Sequence, residues 1–408
     1  METNNDLMII KPQLTHAAGL DIHKKKIIVF FYVAGQVQQF REYGTFTEDL
    51  EKIRNDLMEF NIQDALMEST GVYWIALSSV LLSAGIRVRV VNARAVKALP
   101  KEKTDKKDAA FLCKVLVNGT VRHSYIAPDA QRSFRDLCRQ RTKYGQSTTQ
   151  ARNRIARLLE RRNIKLRSVV SNMHTKSGND IVAALADGET NLDKLTALCR
   201  GRLKKRKAEM RKALHGVLTA DDRFLLKRLL LDIDHFQKQI SEIDIQIKQH
   251  TDKVSGELIE KLKEVKGIGD QSTEIILAEI GDNVKPFPTA DHLAAWTGLA
   301  PGNHQTADHI KPMPTREGNK HLRSALIAVA WAAVRSKNTY WRALFSHLHK
   351  KMHHNKAIVV VARKLLKVIY KIIKGVYTYT EYGADYFIQH LQQRFQNRNN
   401  NNEGLQPC

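Results

Sequence analysis

Long apolar runs, paired cysteines and acidic residues are all scarce in this sequence of 408 residues. No stretch approaches the roughly 18 apolar residues of a membrane-spanning helix, so the sequence predicts a protein without membrane spans. The four cysteines, Cys113, Cys138, Cys199 and Cys408, are far apart and form no metal-binding pair, as expected of a reduced cytosolic protein. Met1 to Leu14 holds two acids and no long apolar core, so no signal peptide is expected.

The shortage of acids leaves the chain strongly basic. Lysine and arginine number 66 against 42 aspartate and glutamate residues, which gives a formal net charge of +24 at pH 7. A surplus of this size, spread along the chain, favours a polyanionic partner, and nucleic acid is the expected one. The length predicts two or three domains with buried cores.

The first quarter of the chain alternates β-rich and helical segments. The predicted elements are strands within Ala18–Val33 and near Val37–Tyr43, a helix from Thr47, a strand ending at Glu68, a helix over Gly71–Ser83, a strand over Ile86–Val91 and a helix from about Lys103. Three strands, helix, strand, helix, strand, helix is the order of an α/β RNase H-like (RuvC-like) domain.

Four carboxylates fall where such domains bind metal ions. Asp21 lies in the apolar first strand and Glu68 ends the fourth strand. Asp105 and Asp108 share one face of the following helix. Oxygen ligands hold divalent ions that activate the attacking oxygen and stabilise the leaving oxygen in phosphodiester displacement, so the tetrad predicts a Mg²⁺ (or Mn²⁺) site. Each acid alone fits a surface or capping carboxylate as well, and Asp21 does so least because an unpaired charge in a buried strand is costly.

A basic helical stretch follows from Gln131 to Arg167. Between Arg132 and Arg167, 12 lysine or arginine residues stand against only Asp136 and Glu160. The stretch is either a solvated charged face or a surface that follows a phosphate backbone. On the second interpretation the expected nucleic-acid contacts are Arg152, Arg154, Arg157, Arg161, Arg162 and Lys165.

Two further patterns lie beyond the basic stretch. Six apolar residues recur alternately four and three positions apart, which fits either an ordinary helix core or a coiled coil that joins copies of the chain. Val265–Gly269 resembles a helix-hairpin-helix turn, in which Lys266, Gly267 and Gly269 would contact a phosphate, although a plain glycine turn is an equal alternative. The six apolar residues are Leu229, Ile233, Phe236, Ile240, Ile243 and Ile247.

Four motifs stand in order along the chain: Gly19-Leu20-Asp21, Glu68-Ser69-Thr70-Gly71, Thr104-Asp105-Lys106-Lys107-Asp108-Ala109 and the run from Ala294 to Arg323. Together they resemble the insertion sequence 110 family of DEDD transposases, roughly from Ala18 to Tyr377. The resemblance implies a RuvC-like catalytic domain over 1–150, a basic helical and coiled-coil linker over 151–254 and a mainly α transposase domain over 255–385. Within the distal run, Arg316, Lys320 and Arg323 are expected nucleic-acid contacts. The Asn-rich end, 386–408, is expected to be a disordered tail.

The resemblance also implies an activity. Family members are DNA recombinases directed by a structured noncoding RNA, the bridge RNA, which pairs with donor and target DNA. Their oligomers combine the acidic tetrad of one subunit with a nucleophilic serine from another. The expected partners are therefore donor and target DNA, a guide RNA and further copies of the chain (a dimer or tetramer), in the prokaryotic cytoplasm at the nucleoid. Base pairing would read sequence while the protein holds the backbone.

One position departs from the family pattern. Relatives commonly show Asn-x-x-Ser-Ala-Gly where this chain has Asn303-His304-Gln305-Thr306-Ala307-Asp308, so Thr306 takes the place of the serine. An activated threonine hydroxyl can attack, although its methyl group crowds the approach. Three explanations remain open: Thr306 attacks, Ser324 or Thr315 does so, or strand transfer is lost. A hydrolytic junction nuclease and an inactive nucleic-acid-binding relative are the alternative functions.

Overall fold

The computed structural model describes residues 14–34, 37–69, 71–91, 105–120, 124–170, 173, 175–302, 305–306, 309–310, 313–315 and 317–403. Thr70, Thr104 and Arg316 lie outside these ranges, and so do the side chains of residues 37, 305–314 and 394–403. The chain divides into two compact units, Met1–Asp129 and Ala130–Cys408.

The first unit contains a five-stranded mixed sheet with the strand order β3-β2-β1-β4-β5. Strands β1, β2 and β3 are antiparallel neighbours, whereas β4 is parallel to β1 and β5 is parallel to β4. The predicted element order is confirmed. Its elements are β1 (His16–Ile22), β2 (Ile27–Val33), β3 (Val37–Tyr43), α1 (Thr47–Glu59), β4 (Asp64–Glu68), α2 (Tyr73–Ser83), β5 (Arg87–Val91) and α3 (Asp105–Val117).

Helices cover both faces of this sheet. Apolar residues of β1 and β2 such as Leu20 and Phe31 pack with α1 and α2 on one face. Phe30 and its neighbours pack with α3 on the other face. Every residue of β2 is buried because both faces are covered, which explains its unbroken apolar sequence. The helix predicted from Gly71 begins at Tyr73 instead, because Gly71 has a φ of +57°, outside the helical region.

A glycine sets the distance between β1 and α3. A Cβ atom built on Gly19 would lie 2.0 Å from the carbonyl oxygen of Ala109 and 2.5 Å from the amide nitrogen of Cys113. Real side chains do not approach backbone atoms so closely, so only glycine permits this contact. The strand that carries Asp21 is thereby held directly against the helix that carries Asp105 and Asp108.

The second unit is mainly helical. Two short antiparallel strand pairs, β6 with β9 and β7 with β8, connect the helices α12 and α13. The elements are α4 (Asp129–Arg161, whose first residue belongs to the first unit), α5 (Leu166–Val169), α6 (Lys176–Ala186), α7 (Leu192–Ala197), a 3₁₀ helix (Gly201–Arg206), α8 (Lys207–Ala213), α9 (Ala220–Thr251), α10 (Gly256–Lys263), α11 (Asp270–Ile280), α12 (Ala290–Thr297), β6 (Pro301–Gly302), β7 (Gln305–Thr306), β8 (His309–Ile310), β9 (Met313–Thr315), α13 (Lys320–Arg335), α14 (Tyr340–His349), α15 (His354–Ile373) and α16 (Gly383–Glu403).

The two longest helices, α4 and α9, pair in antiparallel fashion. Contacts run from the stacked rings of Phe134 and His250 at one end to the ion pair of Arg161 with Asp222 at the other. Ile233, at a heptad position of α9, is buried in a core that also contains residues of α4, α6 and α8. Packing within one chain therefore accounts for the heptad pattern, and the predicted coiled coil is not confirmed.

The C-terminal residues differ from the prediction. The sequence predicts a disordered tail over 386–408, but α16 extends over Gly383–Glu403. Phe387 on this helix is buried, and its ring lies 5.5 Å from that of Tyr340. An apolar anchor of this kind is hidden in a composition dominated by asparagine and glutamine, and a disordered tail beyond the described residues stays a prediction. None of the helices in the described ranges is both long and apolar enough to span a membrane.

Candidate metal centre and nucleic-acid contacts

Two of the predicted acids stand at the same end of neighbouring strands. In the parallel pair of β1 and β4, Leu20 lies opposite Met67, and these residues directly precede Asp21 and Glu68. Glu68 is the last residue of β4 and is half-buried. The register therefore brings both carboxylates to one edge of the sheet, although they are 47 positions apart in the sequence.

The first turn of α3 brings a third acid to Asp21. His23 Nε2 lies 2.9 Å from Asp21 Oδ2 and 3.5 Å from Asp105 Oδ1, so the imidazole bridges the two carboxylates. Lys26 Nζ lies 2.6 Å from the other oxygen of Asp105. One potential ligand atom each from Asp21, His23 and Asp105 lies within 4.8 Å of the other two. These distances are short enough for one cation to contact all three side chains.

The charges of the cluster are only partly balanced. Burial raises the pKa of Asp21 above its usual value, and although His23 opposes the shift, the charges of Asp108 and Asp105 add to it. The hydrogen bond from Lys26 lowers the pKa of Asp105. Carboxylates that repel one another next to a half-buried strand end provide the hard oxygen donors and the electrostatic attraction that a divalent cation requires. The residues present therefore fit a divalent metal ion.

The four predicted metal ligands are not equally close. Asp21 and Asp105 belong to the tight group, Asp108 interacts with Asp21 electrostatically, and Glu68 lies at the adjoining strand end. His23 and Lys26 were not predicted. The only signal for His23 in the sequence is its position two residues after Asp21, and Lys26 reaches the site through the turn between β1 and β2.

The candidate nucleophiles lie in the second unit. The backbone of Thr306 forms part of β7, opposite His309 of β8, and its side chain lies outside the described residues. Thr315 accepts a hydrogen bond of 2.8 Å from Arg323 Nη1. Ser324 is exposed on α13. The identity of the nucleophile stays a prediction.

Several of the arginines predicted to contact nucleic acid have partners inside the protein. Arg161 Nη2 and Arg162 Nε lie 2.8 and 2.5 Å from the carboxylate of Asp222, which is 2% exposed. Burial would raise the pKa of Asp222, but hydrogen bonds from Thr219 and from both arginines hold it well below its usual value. Arg161 and Arg162 thus stabilise the paired helices α4 and α9.

Other predicted contacts on α4 face solvent. Arg154 and Arg157 are exposed, and Arg152 is half-buried. Lys165 contacts Glu160 at 2.5 Å, a pair of exposed residues. The exposed arginines remain the candidates for contact with a phosphate backbone in this stretch.

The turn between α10 and α11 uses its glycine for packing. Gly267 has a φ of +93°, and a Cβ atom there would lie 2.5 Å from the carbonyl oxygen of Val329 on α13. Gly269 caps the N-terminus of α11 and is exposed, as is Lys266. The contact with α13 accounts for Gly267 without a ligand, so the helix-hairpin-helix interpretation is not confirmed.

The distal motif is held together by two of its polar residues. Arg323 donates a hydrogen bond to the carbonyl oxygen of Gly298 as well as to Thr315. Asn319 caps α13 and donates to the buried carboxylate of Glu279 at 2.6 Å. Lys320 is exposed beside them. Of the predicted contacts in this motif, Arg323 therefore has a structural role and Lys320 is free to face a ligand.

Comparison with known proteins supplies the family. Residues 18–164 match the DEDD transposase family model of the IS110 group, described as "Transposase", and residues 259–346 match "Transposase IS116/IS110/IS902 family". The chain is 25% identical over 327 residues to the "Pilin gene-inverting protein" of Moraxella bovis, covering 76% of this chain and 79% of the relative. The protein of the same name from Moraxella lacunata gives the same figures. A "Probable family 20 transposase" of Pseudomonas aeruginosa is 24% identical over 353 residues, which are 82% of this chain and 94% of the relative.

All of these matches are named either as transposases or as a gene-inverting protein. The protein is a DNA transposase or recombinase enzyme. Since matches to one family fall on both the N-terminal and the C-terminal parts of the chain, it belongs to the IS110 family of transposases.

Proposed function

We propose that this transposase cuts and rejoins DNA strands at a metal centre made by Asp21, Glu68, Asp105 and Asp108, with Mg²⁺ or Mn²⁺ as the cofactor. The observation that carries the proposal is the convergence of Asp21 and Asp105 within hydrogen-bonding reach of His23, beside the strand end that carries Glu68. A divalent ion held there would activate an attacking oxygen and stabilise the leaving oxygen.

The protein's own residues prepare this site. Asp21 is the last residue but one of a largely buried strand, and α3 positions Asp105 and Asp108 through its contact with Gly19. Lys26 neutralises part of the negative charge, which lowers the repulsion among the acids, and His23 lies within hydrogen-bond distance of Asp21. Lys26 also places a cation beside the cluster, where it can contact an incoming phosphate.

Thr306 is the proposed nucleophile. It occupies the position at which the family resemblance expects a serine. Its hydroxyl would lose its proton and attack a DNA phosphate, so that a bond from phosphorus to the threonine oxygen forms while the bond to one sugar oxygen breaks, and that sugar oxygen leaves as a hydroxyl group. Thr315 is the weaker alternative because its hydroxyl already accepts a hydrogen bond from Arg323. Ser324 stays an alternative because it is exposed.

We further propose that a noncoding guide RNA pairs with donor and target DNA while the protein holds the backbones, and that copies of the chain assemble as a dimer or tetramer at the bacterial nucleoid. The formal charge of +24 supports a partnership with polyanions. Among the described residues we identify no element that would recognise DNA bases directly. This is compatible with recognition of the DNA sequence by base pairing with an RNA.

The metal centre is tested by Asp105→Asn in the full-length protein. The variant should lose DNA cleavage and should also lose the rise in Tm that Mg²⁺ or Mn²⁺ causes in the wild type, because one ligand of the ion is weakened. Asp234→Asn, an exposed acid on α9, is the matched control and should retain both. Full activity and an unchanged metal response in Asp105→Asn would exclude this assignment.

The nucleophile is tested by trapping. Wild-type protein incubated with DNA and a divalent ion should form a protein–DNA adduct that survives denaturation, and Thr306→Ala should not. Cleavage without any adduct would instead favour a hydrolytic junction nuclease. If the wild-type protein binds DNA or RNA but cleaves no DNA, the result would favour an inactive binding protein.

A further inference from the structure

A groove of about 820 Å³ lies along one face of α4, between that helix, α11 and α13. It lies wholly within the second unit and does not include the acidic cluster. The α4 residues in its wall follow helical spacing, from Arg141 and Thr142 through Gly145 to Thr149. Neither the metal centre nor the packing of the core explains why this face is concave and carries several cationic side chains.

A lining residue of this groove, Arg141, has a buried guanidinium group in which two of the three nitrogen atoms have no partner among the described residues. The side chain of Arg141 is 4% exposed, and its Nη1 contacts Asp244 at 2.8 Å and Glu274 at 2.5 Å. Its Nε and Nη2 atoms have no hydrogen-bond acceptor among the described residues. Buried donors are costly to leave without a partner, and arginine presents Nε and Nη2 as a planar fork. That fork matches two oxygens of one phosphate or carboxylate.

A glycine within α4 opens the same groove. Gly145 lies near the middle of a helix of 33 residues, where glycine is less stable than alanine. A Cβ atom built on it would meet no atom of the described structure within 4 Å, so packing does not require glycine at this position. Its absent side chain leaves room for a ligand to approach the helix backbone closely.

Further cationic side chains line the groove and favour an anion. Lys143 and Lys320 lie along it, and Arg139 in the same lining is paired with the single lining acid, Glu279. Burial lowers the pKa of His321 in the same wall, and the positive charges of Arg139, Lys320 and Lys143 lower it further, against the effect of Glu279. His321 therefore senses a positive potential within the groove. The elongated shape and the spread of cations suit a chain of phosphates better than a single ion.

We propose that this groove binds the phosphodiester backbone of a nucleic acid, with the Arg141 fork on one phosphate, Lys320 on a neighbouring phosphate and the strand lying against Gly145. The inference rests on the proposed function in that the enzyme handles nucleic-acid strands, and it deepens that function by assigning a backbone-binding site outside the metal centre. RNA and DNA share the chemistry recognised here, so the experiment has one arm for each.

The key variant is Gly145→Leu in the full-length protein. Leucine favours the helix, so Tm should equal or exceed that of the wild type, while the side chain occupies the space of the strand. Binding is measured by fluorescence anisotropy with a labelled single-stranded RNA and a labelled DNA of the same sequence, about 20 nucleotides long, at several salt concentrations. Affinity for at least one of them should fall about tenfold or more, as expected when a charge-assisted contact is lost.

Two charge variants provide the matched comparison. Lys320→Gln should weaken binding and make the plot of log affinity against log salt shallower by about 0.7, the value for one phosphate contact on a single strand. Lys238→Gln removes the same charge from an exposed position on α9 outside the groove and should change neither quantity appreciably. Arg141→Lys keeps a cation beside Asp244 and Glu274 but removes the fork, and should weaken binding as Gly145→Leu does.

The outcomes separate this inference from the proposed function. A loss confined to RNA or to DNA identifies which backbone occupies the groove, and either loss supports the proposal. Three results would overturn the proposal. The first is that Gly145→Leu binds both strands with wild-type affinity, and the second is that Lys320→Gln and Lys238→Gln have equal effects. The third is that the wild type binds neither strand. If the groove variants lose affinity while Asp105→Asn still cleaves DNA, the metal centre is wrong and the groove stands.

Discussion

The contact between β1 and α3 is the strongest test of how the fold builds the metal centre, and Gly19→Ala perturbs it with a single methyl group. The new Cβ would lie 2.0 Å from the Ala109 carbonyl oxygen and 2.5 Å from the Cys113 amide nitrogen. Both are backbone atoms of α3, so no side-chain rotation can relieve the overlap. The helix must withdraw from the strand, and Asp105 moves with it.

The size of this movement follows from ordinary contact distances. Non-bonded atoms prefer separations near 3.5 Å, so α3 must withdraw by about 1 to 1.5 Å. Overpacking of this kind costs about 1–3 kcal/mol of folding free energy. That cost corresponds to a Tm lower by roughly 4 to 12 °C for the first unit. A misplacement of about 1 Å between catalytic groups can lower a rate about 100-fold, so cleavage should fall more than stability does.

The assay compares Tm with and without Mg²⁺, and metal-dependent DNA cleavage at a temperature where both proteins are folded. Gly19→Ala should show the lower Tm, a reduced rise in Tm with Mg²⁺ and slow cleavage. Gly256→Ala is the control, because a Cβ there meets no described atom within 4 Å, and it should behave as wild type. A Gly19→Ala protein with wild-type Tm and metal response would refute the proposed coupling of strand, helix and acids.

Three further predictions concern residues of the second unit. Asp222→Ala should lower the free energy of unfolding by about 2–4 kcal/mol at neutral pH through lost charge-assisted hydrogen bonds and helix capping. Because the folded pKa of Asp222 is depressed, this contribution is present above the unfolded value of 3.8 and is lost as the pH falls below it, so urea titrations of wild type and variant should converge in acid. Glu279→Gln should cost about 3–5 kcal/mol, measured in the same way, because Glu279 is 1% exposed and binds Arg139 through both oxygens. Gly267→Ala should lower Tm through its clash with Val329, by about 1–3 kcal/mol in free energy, and should leave the metal response intact.

The first unit could be predicted from the sequence because its information is local. The unbroken apolar run of β2, the single acid in β1 and the acid that ends β4 are visible in short stretches. The pairing of β1 with β4 is not visible in any short stretch of sequence. It was expected because RNase H-like domains have this order of elements. Asp21 and Asp105, which the sequence predicts to lie near one another, both have an oxygen within 3.5 Å of His23 Nε2.

Interactions between distant parts of the chain were not predictable in the same way. A count of charges on α4 does not indicate that Arg139 and Arg161 bind Glu279 and Asp222, which lie 140 and 61 positions further along the chain. The sequence contains no signal for such pairs. The contact of Lys26 with the candidate site was not predicted for the same reason. A lysine in a basic run is not distinguishable from its neighbours until α3 is placed against β1.

The paired helices α4 and α9 form a rod whose two ends are held by different kinds of contact. The paired stretch of α9 from Asp222 to His250 contains 29 residues, and its ends are about 42 Å apart at a rise of 1.5 Å per residue. One end is tied by a carboxylate between guanidinium groups, and the other by stacked rings. Because Asp222 is 2% exposed, dissolved ions screen its ion pairs much less than they screen exposed pairs, so this end of the rod, like the end with the stacked rings, should stay closed at high ionic strength.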